Sequence, residues 1–87
     1  MKYKIEVKKS VVKVLKKLSR ADQIKIAKRI KTLISDPRPD NCIKLKNSPY
    51  YRIRCGLYRI IYDIQDKKLI IIILKVGHRK SIYDNLN

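Results

Sequence analysis

Residues 51–76 read YRIRCGLYRIIYDIQDKKLIIIILKV, and this stretch decides the fold. It contains three segments rich in Tyr, Ile and Val, residue types that are enriched in β-strands. Short links of turn-forming residues separate the segments, so we predict strands over 51–54, 58–64 and 69–76. Because the links are so short, neighbouring strands are expected to pair antiparallel.

The last of these segments begins with an unbroken aliphatic run, Leu69–Leu74. A strand exposed on one face alternates apolar and polar residues, whereas a continuous run is typical of a strand covered on both faces. The run is also too short to cross a membrane as a helix. We therefore expect the third segment to be a central strand of the core.

The N-terminal half begins with a strand and continues as a helix. Over residues 3–7 apolar and polar side chains alternate, which predicts a strand. From Ser10 onward the spacing becomes helical, with an apolar stripe formed by Val11, Leu15 and Leu18. The first strand and the first helix are therefore expected to follow one another directly.

A second helix is predicted after Ser19. The Ser19 hydroxyl is a suitable N-cap, and Asp22 follows three residues later in the first turn. Pro37 and Pro39 end the helical half, because proline lacks the amide hydrogen that a helix interior needs. The buried face of this helix is expected to consist of Ile24, Ala27, Ile30 and either Leu33 or Ile34.

Together these segments predict the element order β-α-α-β-β-β. This is an α+β fold in which a helical hairpin packs on one face of a curved antiparallel sheet. A chain of 87 residues has room for one hydrophobic core. We therefore expect residues 1–87 to form a single domain.

The charge of the chain narrows the choice of partners. There are 23 Lys and Arg against 7 Asp and Glu, a formal net charge of +16. Such an excess favours acidic partners, and nucleic acid is the first of them. An acidic protein is the alternative, and one basic surface can serve both in turn. A membrane partner is disfavoured because the chain has neither Trp nor Phe to anchor it.

The cysteines and the N-terminus indicate the compartment. Cys42 and Cys55 match neither a secreted disulfide framework nor a zinc site, so we expect both to be reduced. Residues 1–7 contain no apolar stretch of the kind found in export signals. We therefore expect a cytoplasmic protein.

The chemistry-bearing residues disfavour several mechanisms. The seven acidic residues are scattered along the chain, which argues against a metal-dependent nuclease. With His78 as its single histidine, one chain cannot supply two histidines as acid and base, and no glycine-rich phosphate loop is present. We predict that neither a metal nor a cofactor takes part.

Arginines and tyrosines cluster in the strand half. Arg52 and Arg54 are two residues apart on one predicted strand, so both project from the same face, where Arg59 of the next strand can join them. Guanidinium groups bind phosphate oxygens, and tyrosines such as Tyr51 offer stacking surfaces for unpaired bases. The cluster indicates single-stranded RNA. The alternative is the solvent-exposed face of an ordinary sheet.

Two motifs in the strand half resemble those of a known family. Residues 51–62, YRIRCGLYRIIY, resemble the core motif of the RelE/ParE toxin superfamily, and residues 76–83, VGHRKSIY, resemble its C-terminal motif. The upstream segments SDPRP at 35–39 and KLK at 44–46 also stand where RelE-type toxins have similar residues. The resemblance extends over nearly the whole chain.

The resemblance implies the toxin of a type II toxin–antitoxin system that inhibits translation. Toxins of the RelE branch are metal-independent endoribonucleases, or mRNA interferases, that cleave messenger RNA in the ribosomal A site and leave a 2′,3′-cyclic phosphate. The implied partners are the ribosome, its mRNA and a cognate antitoxin. An acidic or amphipathic segment of that antitoxin is expected to neutralise the basic groove.

The resemblance also implies roles for individual residues. The scissile phosphate would be held by Arg52, Arg54 and Arg59. Arg79 would assist the leaving oxygen, and Tyr83 would stack on or orient the substrate base. Further RNA contacts are expected from Lys44, Lys46, Tyr51 and Lys80.

One departure from the family pattern concerns the general base. Some members carry lysines at the positions of Arg52 and Arg54, and one of those lysines is the proposed base. Arginine stays protonated in proteins and is a poor base. Because histidine titrates near neutral pH, His78 becomes the candidate.

Two other functions stay open at this point. A ParE-like toxin has the same fold and inhibits DNA gyrase without nuclease activity. Such chains commonly lack the residue set that is represented here by Arg54, Arg59, Arg79 and Tyr83. The other alternative is a basic RNA-binding module without catalysis.

Overall fold

A computed structural model describes residues 2–78. In chain order its elements are strand β1 (Lys4–Val7), helices α1 (Lys9–Lys16) and α2 (Arg20–Lys31), a 3-10 turn (Thr32–Ile34), and strands β2 (Ile43–Lys44), β3 (Tyr51–Cys55), β4 (Tyr58–Gln65) and β5 (Ile70–His78). The predicted order is confirmed apart from β2, which is too short to show a period of two in the sequence. Among the described residues, no helix has the length and apolar character needed to cross a bilayer.

The strands form one five-stranded sheet in the order β1-β5-β4-β3-β2. The pairs β2–β3, β3–β4 and β4–β5 are antiparallel, as the short links predict. Strand β1 pairs with β5 in the parallel sense, so the sheet is mixed and the expectation of a wholly antiparallel sheet is wrong. Parallel strands need a long connection between them, and here the helices and the other strands provide it.

Both helices pack on one side of this sheet, which we call the helix face. The apolar side chains that meet there form one buried cluster of Val11, Ile26, Ile30, Leu33, Ile53, Ile60, Tyr62, Ile71, Ile73 and Val76. The predicted stripe on α1 is confirmed, since Leu15 and Leu18 pack against the same cluster. Removal of this apolar surface from water is the main stabilising contribution, at about 25 cal/mol per Å².

The predicted start of α2 is confirmed. The Ser19 Oγ accepts a hydrogen bond from the Asp22 amide at 3.2 Å, which satisfies one of the unpaired donors of the first turn. After the 3-10 turn the chain leaves the helical conformation. The Tyr62 hydroxyl then donates to the Pro37 carbonyl oxygen at 2.7 Å and holds the following loop against the sheet.

The predicted buried face of helix α2 is confirmed for Ile30 and for Leu33 in the turn that follows, but not for its N-terminal half. Ile26 and Ile30 are buried, whereas Ile24 is 48% exposed and Ala27 is exposed, so those two assignments are wrong. Residues 24, 26 and 30 are all isoleucine, so the sequence is compatible with two different apolar faces on this helix. The Gln23 side-chain amide donates to the backbone of the link between the helices at 3.0 Å. This contact faces inward together with Ile26, three residues further on.

The ladder between β4 and β5 contains a register shift. Tyr62 lies opposite Ile73, but the next pair is Ile61 with Lys75, so Leu74 is an extra residue in β5. A β-bulge of this kind adds one residue to one strand of an antiparallel pair. Beyond the bulge, each side chain of β5 therefore lies on the opposite face from the one that simple alternation gives.

The bulge determines which residue of β5 enters the core. Val76 lies opposite Ile60, and both are buried on the helix face. In an unshifted ladder, Lys75 would occupy that position. The bulge therefore keeps a lysine out of the core and puts a valine in its place.

Strand β4, rather than β5, is the middle strand and is buried on both faces. Its consecutive residues 59–62 are all buried. In β5, Ile71 and Ile73 are buried on the helix face, while Ile72 is partly exposed on the other. The expectation that β5 is the central strand covered on both faces is therefore wrong. Its aliphatic run reflects a position between β4 and the short edge strand β1.

The bulge predicts the outcome of exchanging two neighbouring residues. The double variant Lys75→Val/Val76→Lys keeps the composition but puts a lysine into the core beside Ile60. Burial of an unpaired ammonium group is strongly unfavourable, so we expect the free energy of unfolding, measured in urea, to fall by about 3 kcal/mol or more. The single variant Lys75→Val is the control and should unfold close to the wild type. If the double variant were as stable as the wild type, the register shift would be wrong.

Candidate functional site

Three arginines gather on the face of the sheet that is turned away from the helices. Arg52 lies opposite Ile61, and Arg54 lies opposite Arg59. Ile53, between the first two arginines, is buried in the core. Because side chains alternate along a strand, its neighbours project from the other side. We call this surface the arginine face and define it by Arg52, Arg54 and Arg59.

Two of these arginines occupy directly opposite positions across the β3–β4 ladder, namely Arg54 and Arg59. Like charges in opposite positions destabilise a sheet, so the pair is unfavourable for folding alone. An anion between the two guanidinium groups removes the repulsion and accepts hydrogen bonds from both. The pair is therefore suited to binding a phosphate group.

The two members of the pair differ in exposure. Arg59 is 6% exposed, and its Nη1 donates to the carbonyl oxygens of Gly56 at 3.3 Å and Tyr58 at 3.1 Å. Arg54 is exposed. The Arg59 guanidinium is thus held against the hairpin turn, while the Arg54 side chain is accessible to solvent.

The turn between β3 and β4 brings the arginine pair together. Gly56 has a φ angle of +61°, in the left-handed region that glycine enters without a steric penalty. With Leu57 it forms a two-residue link, so that Cys55 lies opposite Tyr58. A side chain at position 56 would strain this link and, through it, the alignment of the two strands.

Another arginine, Arg29 of α2, anchors strand β3 to the helix. Its Nε donates to the Arg54 carbonyl oxygen at 3.0 Å, and its Nη2 donates to Asn41 Oδ1 at 2.8 Å. A bond of 3.3 Å joins its Nη1 to the Thr32 hydroxyl oxygen. One guanidinium group therefore ties the backbone of an arginine-face residue to the end of α2 and to the loop before β2. No sequence pattern distinguishes Arg29 from the other basic residues of the helices.

The structure does not bring His78 to the arginine face. His78 lies opposite Tyr58 at the end of β5, and the two rings make an edge contact with centroids 6.3 Å apart. Tyr58 belongs to the helix face, because its hydroxyl donates to Asp22 Oδ2 of α2 at 3.0 Å. This hydrogen bond to the carboxylate raises the pKa of Tyr58. The predicted base therefore lies on the opposite side of the sheet from the three arginines.

A pocket of about 270 Å³ opens beside His78 and Tyr58 on the helix face. Lys25 of α2 and Cys55 contribute to its lining. Burial raises the pKa of the Cys55 thiol, which disfavours the thiolate form that acts as a nucleophile or metal ligand. Within residues 2–78, no three His, Cys, Asp or Glu side chains are grouped so that they could hold a metal ion.

Tyr51 also faces the helices rather than the arginines. Its ring stacks on that of Tyr62 with centroids 6.0 Å apart, and the Arg38 guanidinium carbon lies 5.3 Å from the Tyr51 centroid. Arg38 forms an ion pair of 2.8 Å with Asp66, and this hydrogen bond lowers the pKa of the Asp66 carboxyl. Tyr51 therefore belongs to an aromatic and ionic cluster, because alternation along β3 turns it away from its neighbour Arg52.

The other predicted RNA contacts lie at the edge of the sheet or beyond the described residues. Lys44 ends the edge strand β2, lies opposite Tyr51 and is exposed. Lys46 is exposed in the turn that follows. The predicted roles of Arg79, Lys80 and Tyr83 fall outside residues 2–78.

The fold and the arginine face define a small basic α+β protein with a cluster of arginines on one sheet surface. The family model described as the ParE toxin of type II toxin–antitoxin systems, parDE, matches residues 5–83. The chain therefore belongs to the RelE/ParE superfamily of type II toxins.

Relatives of the chain carry RelE names. A protein of Methanocaldococcus jannaschii named as toxin RelE1 is 34% identical to it over 98% of this chain and 99% of its own length. The RelE–RelB complex of Pyrococcus horikoshii matches with a TM-score of 0.82 and 33% identity, covering 93% of this chain and 99% of that one. A free mutant form of Escherichia coli RelE matches with a TM-score of 0.79 and 25% identity, covering 95% and 90%.

Replacement of Arg29 tests its role as an anchor. The variant Arg29→Gln loses the charged donor to the Arg54 carbonyl oxygen. We expect the free energy of unfolding to fall by about 1 to 2 kcal/mol and amide hydrogen exchange in β3 to become faster. Arg20→Gln, at an exposed position in the first turn of α2, is the control and should stay within about 0.5 kcal/mol of the wild type. Equal effects in both variants would show that Arg29 has no special role.

Proposed function

We propose that this chain is a ribosome-dependent, metal-independent endoribonuclease that cleaves messenger RNA in the ribosomal A site. The observation that carries the proposal is the direct opposition of Arg54 and Arg59, which is unfavourable for folding and suited to a phosphate group. The net charge of +16 supports attraction to RNA. The relatives named RelE support the choice of this branch.

The proposed reaction is an attack of the ribose 2′-oxygen on the adjacent phosphorus. The bond from this oxygen to phosphorus forms while the bond from phosphorus to the 5′-oxygen of the next nucleotide breaks. The 2′-hydroxyl proton passes to solvent and the 5′-oxygen takes one up, which leaves a 2′,3′-cyclic phosphate and a 5′-hydroxyl. In this proposal Arg79 hydrogen-bonds the leaving oxygen, and Tyr83 stacks on or orients the base.

The arginine face contributes to this reaction through charge and orientation. Negative charge on the non-bridging phosphate oxygens is stabilised by Arg54 and Arg59, with Arg52 two residues away on the same face. Fixed hydrogen bonds from guanidinium groups also hold the phosphate in line with the attacking oxygen. Because arginine stays protonated in proteins, none of the three abstracts the proton. The position of His78 on the helix face does not support a role as the general base either.

The proposal is tested by adding the purified chain to ribosomes programmed with a defined messenger and mapping new 5′ ends by primer extension. The wild type is expected to cut in the A site, and Arg79→Ala to lose the cuts. Arg54→Gln removes the exposed member of the arginine pair, so we expect the rate to fall by about 100-fold or more. Lys28→Gln, on the exposed side of α2, is the charge-matched control and should cut like the wild type. An intact message with the wild-type chain would sink the proposal.

Replacement of His78 separates charge stabilisation from general base catalysis. The His78→Gln variant is expected to cut programmed ribosomes at close to the wild-type rate, because residue 78 lies on the helix face opposite Tyr58. The same primer-extension assay measures it beside Arg54→Gln. A loss as large as that of Arg54→Gln would return His78 to the list of candidate bases.

A second candidate function is inhibition of DNA gyrase, because the matching family model is that of ParE toxins. In the same preparation, an intact message together with gyrase-dependent DNA breaks would support it. If neither message cleavage nor DNA breaks were observed, RNA binding without catalysis would be the remaining function.

We also propose that a cognate antitoxin is the protein partner of this chain. Structural neighbours from Pyrococcus horikoshii and Escherichia coli are RelE–RelB complexes, which supports the proposal. An acidic segment across the arginine face would neutralise its charge and exclude RNA from the same surface. Action on ribosomes would place both partners in the cytoplasm.

A further inference from the structure

The bulge in β5 brings a lysine to the arginine face. Lys75 lies opposite Ile61, and Ile61 in turn lies opposite Arg52. Since directly opposite residues share a face, these three side chains form one row across β3, β4 and β5. The adjacent row consists of Arg54, Arg59 and Gly77.

The first of these rows places Arg52 and Lys75 on either side of one apolar residue. Neighbouring strands are about 4.8 Å apart, so the Cα atoms of Arg52 and Lys75 are separated by about 10 Å. Ile61 lies between them and is fully buried, so the two cations flank an apolar floor. Gly77, in the second row, has no side chain.

The structure shows no folding role for the charge of Lys75. Lys75 forms no ion pair with another of the described residues. The side chain is half-buried, although an ammonium group is solvated best in open water. The row that Lys75 shares with Arg52 and Ile61 contains no carboxylate, so a bulge that directs a cation to this row points to an anionic ligand.

The charge of the sheet surface changes sign immediately beyond Lys75. The next row on this face, toward the N-terminal end of β5, contains Glu6, Ile72 and Asp63. Both carboxylates lie on the arginine face of the sheet, because they are in register with Ile72 and not with the buried Ile71 and Ile73. Lys75 is the one Lys or Arg of β5, and it therefore lies next to an acidic row that repels phosphate.

From this arrangement we infer that Lys75 is a fourth phosphate-contacting residue, which holds the RNA phosphate next to the one bound by Arg54 and Arg59. The inference rests on the proposed function and adds a residue to it. Lysine is a compact point charge with three rotatable donors, so it holds a phosphate without the alignment that a guanidinium group needs. The RNA backbone would cross the strands along the two rows and stay away from Glu6 and Asp63.

The test uses the salt dependence of RNA binding, which needs neither ribosomes nor cleavage. The probe is a fluorescent single-stranded RNA whose 2′-hydroxyls are all methylated, and binding is followed by anisotropy between low and moderate salt. Each phosphate contact contributes about 0.7 to the slope of log K against log salt on single strands. Lys75→Met should lower the slope by about 0.7, and Lys75→Arg should keep it.

The matched control is Lys68→Met, which removes one charge from an exposed position in the β4–β5 turn at the other end of the same strands. It is expected to keep the wild-type slope. Equal slopes for Lys75→Met and Lys68→Met would overturn the inference, as would a wild-type chain that binds the probe without salt dependence. Urea unfolding confirms that both variants are folded. The proposed cleavage is measured separately by primer extension, so each idea fails on its own readout.

Discussion

Exclusion of Lys75 from the core is the constraint on which the sheet depends. The core side of β4 offers one position opposite Ile60, and the extra residue Leu74 decides that Val76 fills it. A bulge interrupts the ladder locally, but a buried and unpaired ammonium group destabilises a small domain by much more. The interruption is therefore the more stable choice, and it determines the face of each later residue in β5.

Because of the bulge, the two faces of the sheet carry different kinds of side chain. The helix face contains the apolar cluster and the ring contact between Tyr58 and His78, so it holds the fold together. The other face contains the three arginines and Lys75. A concentration of like charge on a sheet opposes folding, and here the core beneath it and the Arg29 anchor offset that repulsion. The cationic surface is thus compatible with a stable fold.

Much of the fold could be predicted from the sequence, because its signals are local. The period of two, the Ser19 cap and the glycine turn each depend on a few neighbouring residues, and the structure confirms them. The parallel pairing of β1 with β5 and the choice of Ile26 over Ile24 depend on contacts between distant segments, which a periodicity does not contain.

In the candidate site, too, some residues can be placed from local sequence and others cannot. The grouping of Arg52, Arg54 and Arg59 follows from spacing along two strands joined by a short turn, so the sequence predicts it. His78 and Lys75 lie beyond the bulge, where alternation counted from the aliphatic run assigns each to the wrong face.

The register shift also changes which side chains accompany the arginines on their face of the sheet. As the single histidine of the chain, His78 is the candidate base in the sequence. The pairing of β4 with β5 puts Lys75, and not His78, on the arginine face. In the proposed reaction, guanidinium groups that stay protonated act on the phosphate through fixed charge and orientation. In this proposal Lys75 holds the RNA backbone at one more point. It therefore improves the orientation of the phosphate that the arginines bind. The bulge is therefore as much a part of the proposed active surface as the arginines themselves.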